Sequence, residues 1–590
     1  MPDPFMSETP PNIWKRPWKG PAKVLAWFGL LVAASFVALY CIALLTAKNA
    51  SAPELTSMAL AVSLVLAGLV TAGFFFVRWL CSWRNFRRFL FVVTCLVTLV
   101  ALFYAQENWR GRRAWQNYRR ECEARGEKFS LAALAPRAVP DEKNFALTPL
   151  LKPAMDFTQG PNGTVWHDTN GVARLERISA ELAPARYTND HLVLGSVEKG
   201  TFANLSACAE FYRGNTNYPQ APGSASASDT ILVALGRFGS ELDELREAAA
   251  TRPYSRFAIP YDYEPPWGIL IPHLARVKGL TTLTHVRAMA ELEAGGPVEA
   301  FADLNLGLRL SDCIDQEPLL IDHLVRVASM AINLQTIREG LVRHTWTDAQ
   351  LAELEKHLAS VHLLAEYLLA MRGERALETQ GMDYLRRQGF RTNPMDYLGS
   401  EDGASASTPG LPFNPMPAGW YYQNMLTGSR MFDKFTFPAV DAQAHRVFPQ
   451  VSEAGARALQ EMRTGPYTLF VKLLFPALGR AVQRSARMQT YVDAARVACA
   501  LERYRLAKGR LPDTLEELIP GFVSRLPNDV IDGKSLRYRH AADGSYVLYS
   551  VGWNQTDEGG KVAWSDRNRE KPAVDITEGD WVWSLPGHER

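Results

Sequence analysis

Histidine and acidic side chains that stand together are the first candidates for chemistry in this sequence. His167 and Asp168 are adjacent in a segment that we expect to be a loop, and Asp190 follows further along. A histidine beside a carboxylate can act as a general base or hold a metal ion, so these groups could belong to a dispersed hydrolytic site. A pair of this kind is more commonly a surface hydrogen bond, which is the interpretation we favour.

Sequence motifs of the common enzyme classes are missing. The chain has no HExxH, GxSxG, phosphate-binding loop or dinucleotide-binding glycine pattern in its required context. His273, His285 and His323 fall in amphipathic segments, where we interpret them as packed side chains with satisfied hydrogen bonds. The seven cysteines include no CxxC pair and no Cys/His cluster with zinc spacing, so we interpret them as isolated thiols. A non-enzymatic role is therefore favoured.

The composition is that of a folded protein with an uneven distribution of apolar residues. The 590 residues are 47% hydrophobic and 21% charged, and the formal net charge is only +2. So small a charge provides no basic field, and we do not expect nucleic acid as a partner. The first 105 residues are far more apolar than the rest and form a region of their own.

Three segments without charged residues predict a membrane region. Val24–Ala47 and Leu55–Val77 exceed the ~20 residues that cross the hydrocarbon core, and Phe89–Ala105 is near the ~17-residue lower limit. Basic residues in the N-terminal tail and between the second and third segments assign both to the cytoplasm. Three spans then send the remaining chain to the other side. An arginine-rich stretch, 110–120, directly follows the third span and can touch lipid headgroups.

A series of amphipathic helices is expected in the middle of the chain. Apolar residues recur every three or four positions in Ile269–Leu292, Pro297–Cys313 and Leu319–Val342. Thr347 opens a fourth helix with a capping box, and a fifth runs over Leu363–Arg387. The piece AELEAGGPVEAFADLNLGLRL resembles one tetratricopeptide helix pair, which implies antiparallel packing of neighbouring helices.

The last part of the chain combines a long helix with short strands. The helix ends in ALERYRLAKGRLPDTLEELIP, and SLRYRHAADGSYVLYSVG predicts two strands around a turn at Ala541–Gly544. Together with LPNDVIDGKSLRYR, YVLYSVGWNQTDEGG and VDITEGDWVW, this order resembles the globular domain of the major, G-type pseudopilins of type II secretion. The resemblance covers residues 477–583. It implies an α+β module, a bacterial source and a link to secretion or envelope assembly.

The same resemblance implies calcium as a cofactor, although the fold has no evident requirement for one. In the family, the loop after the Tyr-Ser-x-Gly strand holds calcium, an ion that accepts about six to eight flexible oxygen ligands. Asn554 stands where the family has an aspartate, and Asp575 matches its later Asp-Ile pair; Asp557 and Asp580 lie nearby. The asparagine removes one charge and should weaken binding. The alternative is a polar loop held by ordinary turn hydrogen bonds.

The predicted protein is mainly α-helical, with an N-terminal three-helix transmembrane region, an α-helical soluble domain and a C-terminal α+β pseudopilin-like module. We expect it in the inner membrane, with a cytoplasmic N-terminus and a periplasmic soluble part that acts as a scaffold for protein partners. The alternatives are the hydrolase and a membrane sensor with a small-ligand pocket.

Aromatic residues 420–437 line a groove or, as we favour, form a seam between the helical and C-terminal parts. The predicted domains are a tail (1–23), three transmembrane helices (24–105), a connector and mixed region (106–228), a helical-hairpin domain (229–392), a linker with an aromatic-rich segment (393–476) and the pseudopilin-like module (477–590).

Overall fold

A computed structural model describes residues 21–46, 52–160, 163–180, 194–388, 416–541, 544–565 and 573–584. The described chain is mainly helical, with small antiparallel sheets, as the sequence predicts. It divides into two units, Met1–Gln106 and Glu107–Arg590, which are described separately.

The first unit contains helices long and apolar enough to cross a membrane, which confirms the three predicted apolar helices. They are α1 (Pro21–Thr46), α2 (Ala52–Leu80) and the first part of α3 (Trp83–Ala124). Their apolar side chains point outward; Leu25 and Leu99, for example, are 68% and 65% exposed. Such exposure is costly in water but not in lipid, so it fits helices surrounded by a bilayer.

Helix α3 continues well beyond the predicted third span. Its 42 residues run without a break to Ala124, so the arginine-rich stretch is helical and its arginines are exposed. The last turns bury Gly111, Trp115, Tyr118 and Cys122, which recur every three or four residues and so share one face. These last turns of α3 already belong to the unit Glu107–Arg590. Within that unit, the buried face packs on Phe129, Met382 and Tyr421.

Helices dominate the unit Glu107–Arg590, and neighbours in sequence pack as hairpins. After α3 they are α4 (Leu131–Leu134), α5 (Thr169–Ala180), α6 (Leu205–Tyr212), α7 (Ala227–Leu235), α8 (Gly239–Thr251), α9 (His273–Ala294), α10 (Pro297–Asp312), α11 (Leu320–Val342), α12 (Asp348–Ala359), α13 (Leu363–Gln388), α14 (Ala418–Met431), α15 (Pro449–Glu461), α16 (Leu469–Leu474) and α17 (Ala481–Lys508). The five predicted helices correspond to α9–α13. Gly295 ends α9 in the left-handed conformation, and Thr347 and Gln350 form the predicted capping box of α12.

Helix α17 is the centre of this unit. It buries 20 of its 28 residues and packs against α11, α12 and α13 as well as against strands of the C-terminal sheet. Alanines at 494, 495, 498 and 500 allow close approach from several sides. The helix at the start of the C-terminal α+β segment is therefore also the helix on which α11, α12 and α13 pack.

The sheets are short and antiparallel. The strands are β1 (Phe157–Gly160), β2 (Gly163–Trp166), β3 (Val440–Asp441), β4 (Arg446–Val447), β5 (Arg537–His540), β6 (Tyr546–Ser550), β7 (Val562–Ser565), β8 (Ala573–Gly579) and β9 (Trp581–Ser584). Strands β5, β6 and β9 form a three-stranded sheet in that order, which confirms the predicted strand pair around Ala541–Gly544. Outside these strands, Ser196 makes an isolated antiparallel bridge to Thr201.

Aromatic residues 420–437 serve both roles considered for them. Phe432 is fully buried in a cluster that includes Tyr367 of α13 and Trp581 of β9, so it belongs to a seam between helical and C-terminal segments. Tyr421 packs against the α3 face. Phe435, by contrast, lines a cleft that is open to the surface.

Candidate functional sites

The predicted calcium loop is tightly folded, and Asn554 and Asp580 lie on the same side of it. Asp580 accepts hydrogen bonds from the Gly560 N–H at 2.6 Å and the Lys561 N–H at 3.3 Å. Asn554 Nδ2 donates to Glu558 Oε1 at 2.8 Å and to Glu578 Oε2 at 3.3 Å. Burial raises the pKa of Asp580 to about 6, and the neighbouring Glu558 carboxylate adds to the shift.

The other two predicted ligands are engaged elsewhere. Asp557 Oδ1 accepts a hydrogen bond from the Gly559 N–H at 2.9 Å, and its other oxygen lies 3.8 Å from Arg537. Asp575 Oδ1 accepts hydrogen bonds from the Thr577 N–H and hydroxyl, at 2.9 and 2.7 Å. The Asp557 contact is a turn interaction of the type proposed as the alternative to calcium binding, and the Asp575 contact is a local bond between residues of β8.

Calcium fits the loop only in part. Glu558 and Glu578, which sequence reasoning missed, place carboxylates beside Asn554 and Asp580. The Asn554 side-chain nitrogen, however, faces these carboxylates, whereas a bound cation would require the side-chain oxygen in that place. The two orientations differ by a 180° rotation of the amide group. Within the described ranges, no group of three or more His, Cys, Asp or Glu side chains is arranged to hold a metal ion. The loop thus supplies acidic groups without a formed coordination shell.

The candidate hydrolytic residues do not converge in the described part of the chain. His167 Nδ1 lies 2.7 Å from Asp156 Oδ1, not beside Asp168, and its Nε2 lies 2.8 Å from the Thr158 hydroxyl. Asp168 instead accepts a hydrogen bond from the Gly171 N–H at the start of α5. Asp190 is outside the described residues. The pair at 167–168 is therefore a local surface arrangement.

Two of the three helix histidines have the hydrogen bonds that the sequence analysis expected. His285 lies 2.7 Å from the Thr336 hydroxyl and 2.9 Å from the Leu194 carbonyl, and His323 Nε2 lies 2.7 Å from the Ser485 hydroxyl. His273 differs. It is fully buried and stacks on Phe257 at 4.2 Å, yet neither ring nitrogen bonds to a described residue. Burial lowers the pKa of His273 to about 3, so its ring is neutral.

A cluster of carboxyl groups, Glu317, Asp322, Glu374 and Glu378, was not foreseen; the first two are buried and the last two half-buried. Tyr261 donates its hydroxyl hydrogen bond to Glu317, and the Leu320 N–H donates to Glu374 Oε1 at 3.1 Å. Neither oxygen of Asp322 has a hydrogen-bond partner of normal geometry among the described residues. We call these four groups the carboxyl cluster.

The carboxyl cluster is poorly suited to carry charge. Burial raises the pKa of Glu317 and Glu374 to about 7 and that of Glu378 to about 8, and it raises the pKa of Asp322 well above its ordinary value. Repulsion between neighbouring carboxylates adds to the shifts of Asp322 and Glu378. The groups are therefore largely protonated below pH 7, which reduces the cost of burying them.

A cleft of about 240 Å³ beside α17 brings together His445, Asp493, Arg496 and Arg525. His445 Nε2 lies 2.7 Å from Asp493 Oδ2, and Gln489 Nε2 donates to the other Asp493 oxygen at 3.3 Å. Burial alone would lower the pKa of His445, but the hydrogen bond and the charge of Asp493 outweigh it, so the pKa is raised. His445 also adopts a left-handed backbone with φ of 54°, which is uncommon for a residue with a side chain.

The arrangement in this cleft suits anion binding better than catalysis. The guanidinium groups of Arg496 and Arg525 provide positive charge at the cleft; Arg496 is also paired with Glu355, and His445 with Asp493, both at 2.7 Å. No serine, threonine or cysteine is among the residues that line the cleft, so the His445–Asp493 pair has no side-chain nucleophile to activate there.

No protein-family model, no curated protein and no solved structure matches the chain. The class of protein to which the chain belongs is therefore described from its fold alone. The chain is a mainly helical protein with three helices capable of spanning a membrane. The resemblance to the pseudopilin domain stays a prediction.

Proposed function

We propose that the protein is a membrane-anchored interaction protein that holds residues 107–590 outside the cytoplasm, with a role in secretion or envelope assembly. The observation that carries the proposal is the short connection between α2 and α3. Only Cys81 and Ser82 separate the helices, and four arginines flank this turn: Arg78, Arg84, Arg87 and Arg88. Such a concentration of positive charge favours a cytoplasmic position for the turn, and in this proposal α3 leads outward.

Open clefts on the unit Glu107–Arg590 support an interaction role. Clefts of about 380, 310 and 240 Å³ are only partly enclosed, and each mixes apolar walls with a few polar groups. Clefts of this type suit side chains of a partner. One of them is bordered by Lys278 and Glu198, next to the buried His285.

Topology is the first test of the proposal. A reporter active only outside the cytoplasm is fused after Arg590, and in a second strain it is inserted between Cys81 and Ser82. We expect activity from the first fusion and none from the second. An inactive but stably produced fusion after Arg590 would place the unit in the cytoplasm and overturn the proposal.

The interaction role is tested by cross-linking mass spectrometry of the full-length protein in its native membrane. We expect links to other proteins from Lys278, which is exposed at the edge of the 310 Å³ cleft. Lys508, exposed at the end of α17, serves as a matched control. Links confined to the protein's own chain at both lysines would contradict a scaffold role.

A second candidate function, a receptor for a small anion, is favoured by the cleft at His445 and Arg525. Titration calorimetry with inorganic phosphate and with acetate tests it. We expect Arg525→Ala to weaken binding about ten-fold, because a hydrogen bond to a charged group contributes about 1.5–3 kcal/mol. Arg457→Ala changes an exposed arginine on α15 and should have no effect. Absence of binding by the unmodified protein would exclude this function for these two anions.

A further inference from the structure

The start of the soluble unit is bonded to a segment far away in sequence. The Tyr467 hydroxyl donates a hydrogen bond to Glu107 Oε2 at 2.8 Å, and Arg110 donates to the same hydroxyl. The Arg110 guanidinium also lies over the Tyr467 ring, 5.1 Å from its centre. Glu107 follows Ala105, the end of the uncharged run of α3, by two residues or about 3 Å of helix rise. Tyr467 is therefore bonded to residues that follow closely after the uncharged run of α3.

The segment that follows Tyr467 exposes apolar side chains. Leu469 and Leu473 on α16 and Pro476 in the next turn are spaced by four and three residues, so they share one face. Leu469 is 37% exposed and Leu473 is 43% exposed. The opposite face, with Phe470 and Val471, is buried in the protein. We call Leu469, Leu473 and Pro476 the apolar strip.

A cleft of about 380 Å³ borders the apolar strip. Pro476 belongs to both, and the cleft walls include Phe435, Leu459 and Phe475. Lys472 also lines it, with its ammonium group donating to the Met462 carbonyl at 2.7 Å. The lining is therefore mainly apolar with a cation, and the cleft is partly open to the surface.

Charged and aromatic side chains around the strip complement a phospholipid. Arg112 and Arg113 on α3 are exposed, and so are Arg463 and Arg480 on either side of the strip. Trp109, 63% exposed, lies one helical turn beyond the uncharged run of α3, where aromatic residues commonly meet the headgroup region. Arginines beside an apolar surface at this depth suit a lipid phosphate and its acyl chains together.

We propose that the apolar strip enters the surface of the bilayer and that the adjoining cleft holds an acyl chain of an anionic phospholipid. The soluble unit is then held to the bilayer by a surface contact as well as by its covalent anchor. The proposal does not depend on which side of the membrane the unit occupies.

Site-specific photo-cross-linking in the native membrane tests the strip. A photoreactive amino acid replaces Leu469 or Leu473 in the full-length chain, and Val298, an exposed apolar residue on α10, is the matched control. After irradiation, adducts are identified by mass spectrometry. We expect phospholipid adducts at 469 and 473, several-fold above those at 298. Adducts to another protein, or to a second copy of the chain, at 469 and 473 would overturn the proposal.

The cleft is tested separately with the same amino acid at Ser452, which lines it. We expect acyl-chain adducts that decrease several-fold when Ala456→Trp fills the space beside it. Lipid adducts at 473 without adducts at 452, or adducts at 452 that Ala456→Trp leaves unchanged, would overturn the acyl-chain site. Because Ala456 is exposed, the tryptophan does not disturb the buried core.

Discussion

Two side chains of the C-terminal loop, Asn554 and Asp580, decide whether this loop binds a cation. Asp580 is held by backbone N–H groups, and Asn554 bridges the carboxylates of Glu558 and Glu578. An aspartate at 554 would repel those carboxylates unless a cation were present, whereas asparagine bonds to them directly. The residue that departs from the pseudopilin pattern is thus the one that lets the loop close without calcium.

Calcium should nevertheless stabilise the protein measurably if the Asn554 amide group can rotate by 180° and present its oxygen to the ion. We expect calcium at about 5 mM to raise the thermal unfolding midpoint of the full-length protein in detergent. Asp580→Asn should remove the increase, and Asp575→Asn should keep it because Thr577 engages that carboxylate. An unchanged midpoint for the unmodified protein would leave turn hydrogen bonds as the full account of the loop.

A second residue, His273, should lower the free energy of unfolding of the protein. Its buried ring nitrogens have no partner among the described residues, and an unpaired buried polar group costs about 1–3 kcal/mol. His273→Phe keeps the stacking on Phe257 and removes the polar atoms, so we expect the free energy of unfolding to rise. Denaturant unfolding measures this change. A lower stability would indicate that the ring nitrogens bind something when the protein is folded.

At the scale of elements, the positions of the helices in the unit Glu107–Arg590 were predictable from the sequence, and the environments of their polar side chains were not. The predicted segments matched α9–α13 because apolar residues every three or four positions mark one buried face. The hairpin of β1 and β2 was missed, since each strand has only four residues and β2 is exposed at three of its four positions.

The carboxyl cluster was missed for a different reason. Glu374 and Glu378 are four residues apart on α13, a spacing typical of a solvated helix face. They are half-buried because α11 and α14 pack against α13; Leu320 at the start of α11 bonds to Glu374, and Gly428 of α14 lies against Glu378. Only these long-range contacts decide their environment. His445 and Asp493 likewise meet across 48 residues, with no local signal in the sequence.

The contact between α3 and α14 yields a prediction at this scale. Gly111 and Gly419 are so close that a Cβ on Gly111 would collide with the Gly419 backbone. Gly111→Ala should therefore lower the free energy of unfolding by about 1–3 kcal/mol, although alanine favours the helix itself. Gly223→Ala is the matched control, because a Cβ there meets nothing within 4 Å. Equal unfolding midpoints for the two variants would show that the helices can separate at little cost.

For the whole molecule, the buried acids set how stability depends on pH. The pKa values of Glu374 and Glu378, about 7 and about 8, are raised from 4.5, so the folded state binds more protons than the unfolded state. The contribution of these two groups to stability is then fully present below pH ~4.5 and is lost as the pH rises to about 8. This is the reverse of a protein stabilised by ionised carboxylates.

Glu378→Gln tests this pH dependence, since glutamine stays neutral at every pH. We expect the variant to be more stable than the unmodified protein at pH ~8, by up to ~4 kcal/mol, and similar to it at pH ~5. Thermal unfolding across this range measures the difference. Glu516→Gln alters an exposed glutamate and provides the control. Parallel curves for the Glu378→Gln variant and the unmodified protein would mean that Glu378 is already ionised or paired.

The central position of α17 has a consequence for biosynthesis. Helices α11, α12 and α13 leave the ribosome well before α17, yet they bury their apolar faces on it. Until residues 481–508 have been made, those faces have no partner and are exposed to aggregation and proteolysis. The core around α17 cannot therefore form until this helix is made, whereas a second core, built from residues between Leu131 and Ala376, contains no residue of α17. A chain arrested before Ala481 should be a substrate for chaperones and proteases, and the last fifth of translation completes the fold of the preceding helices.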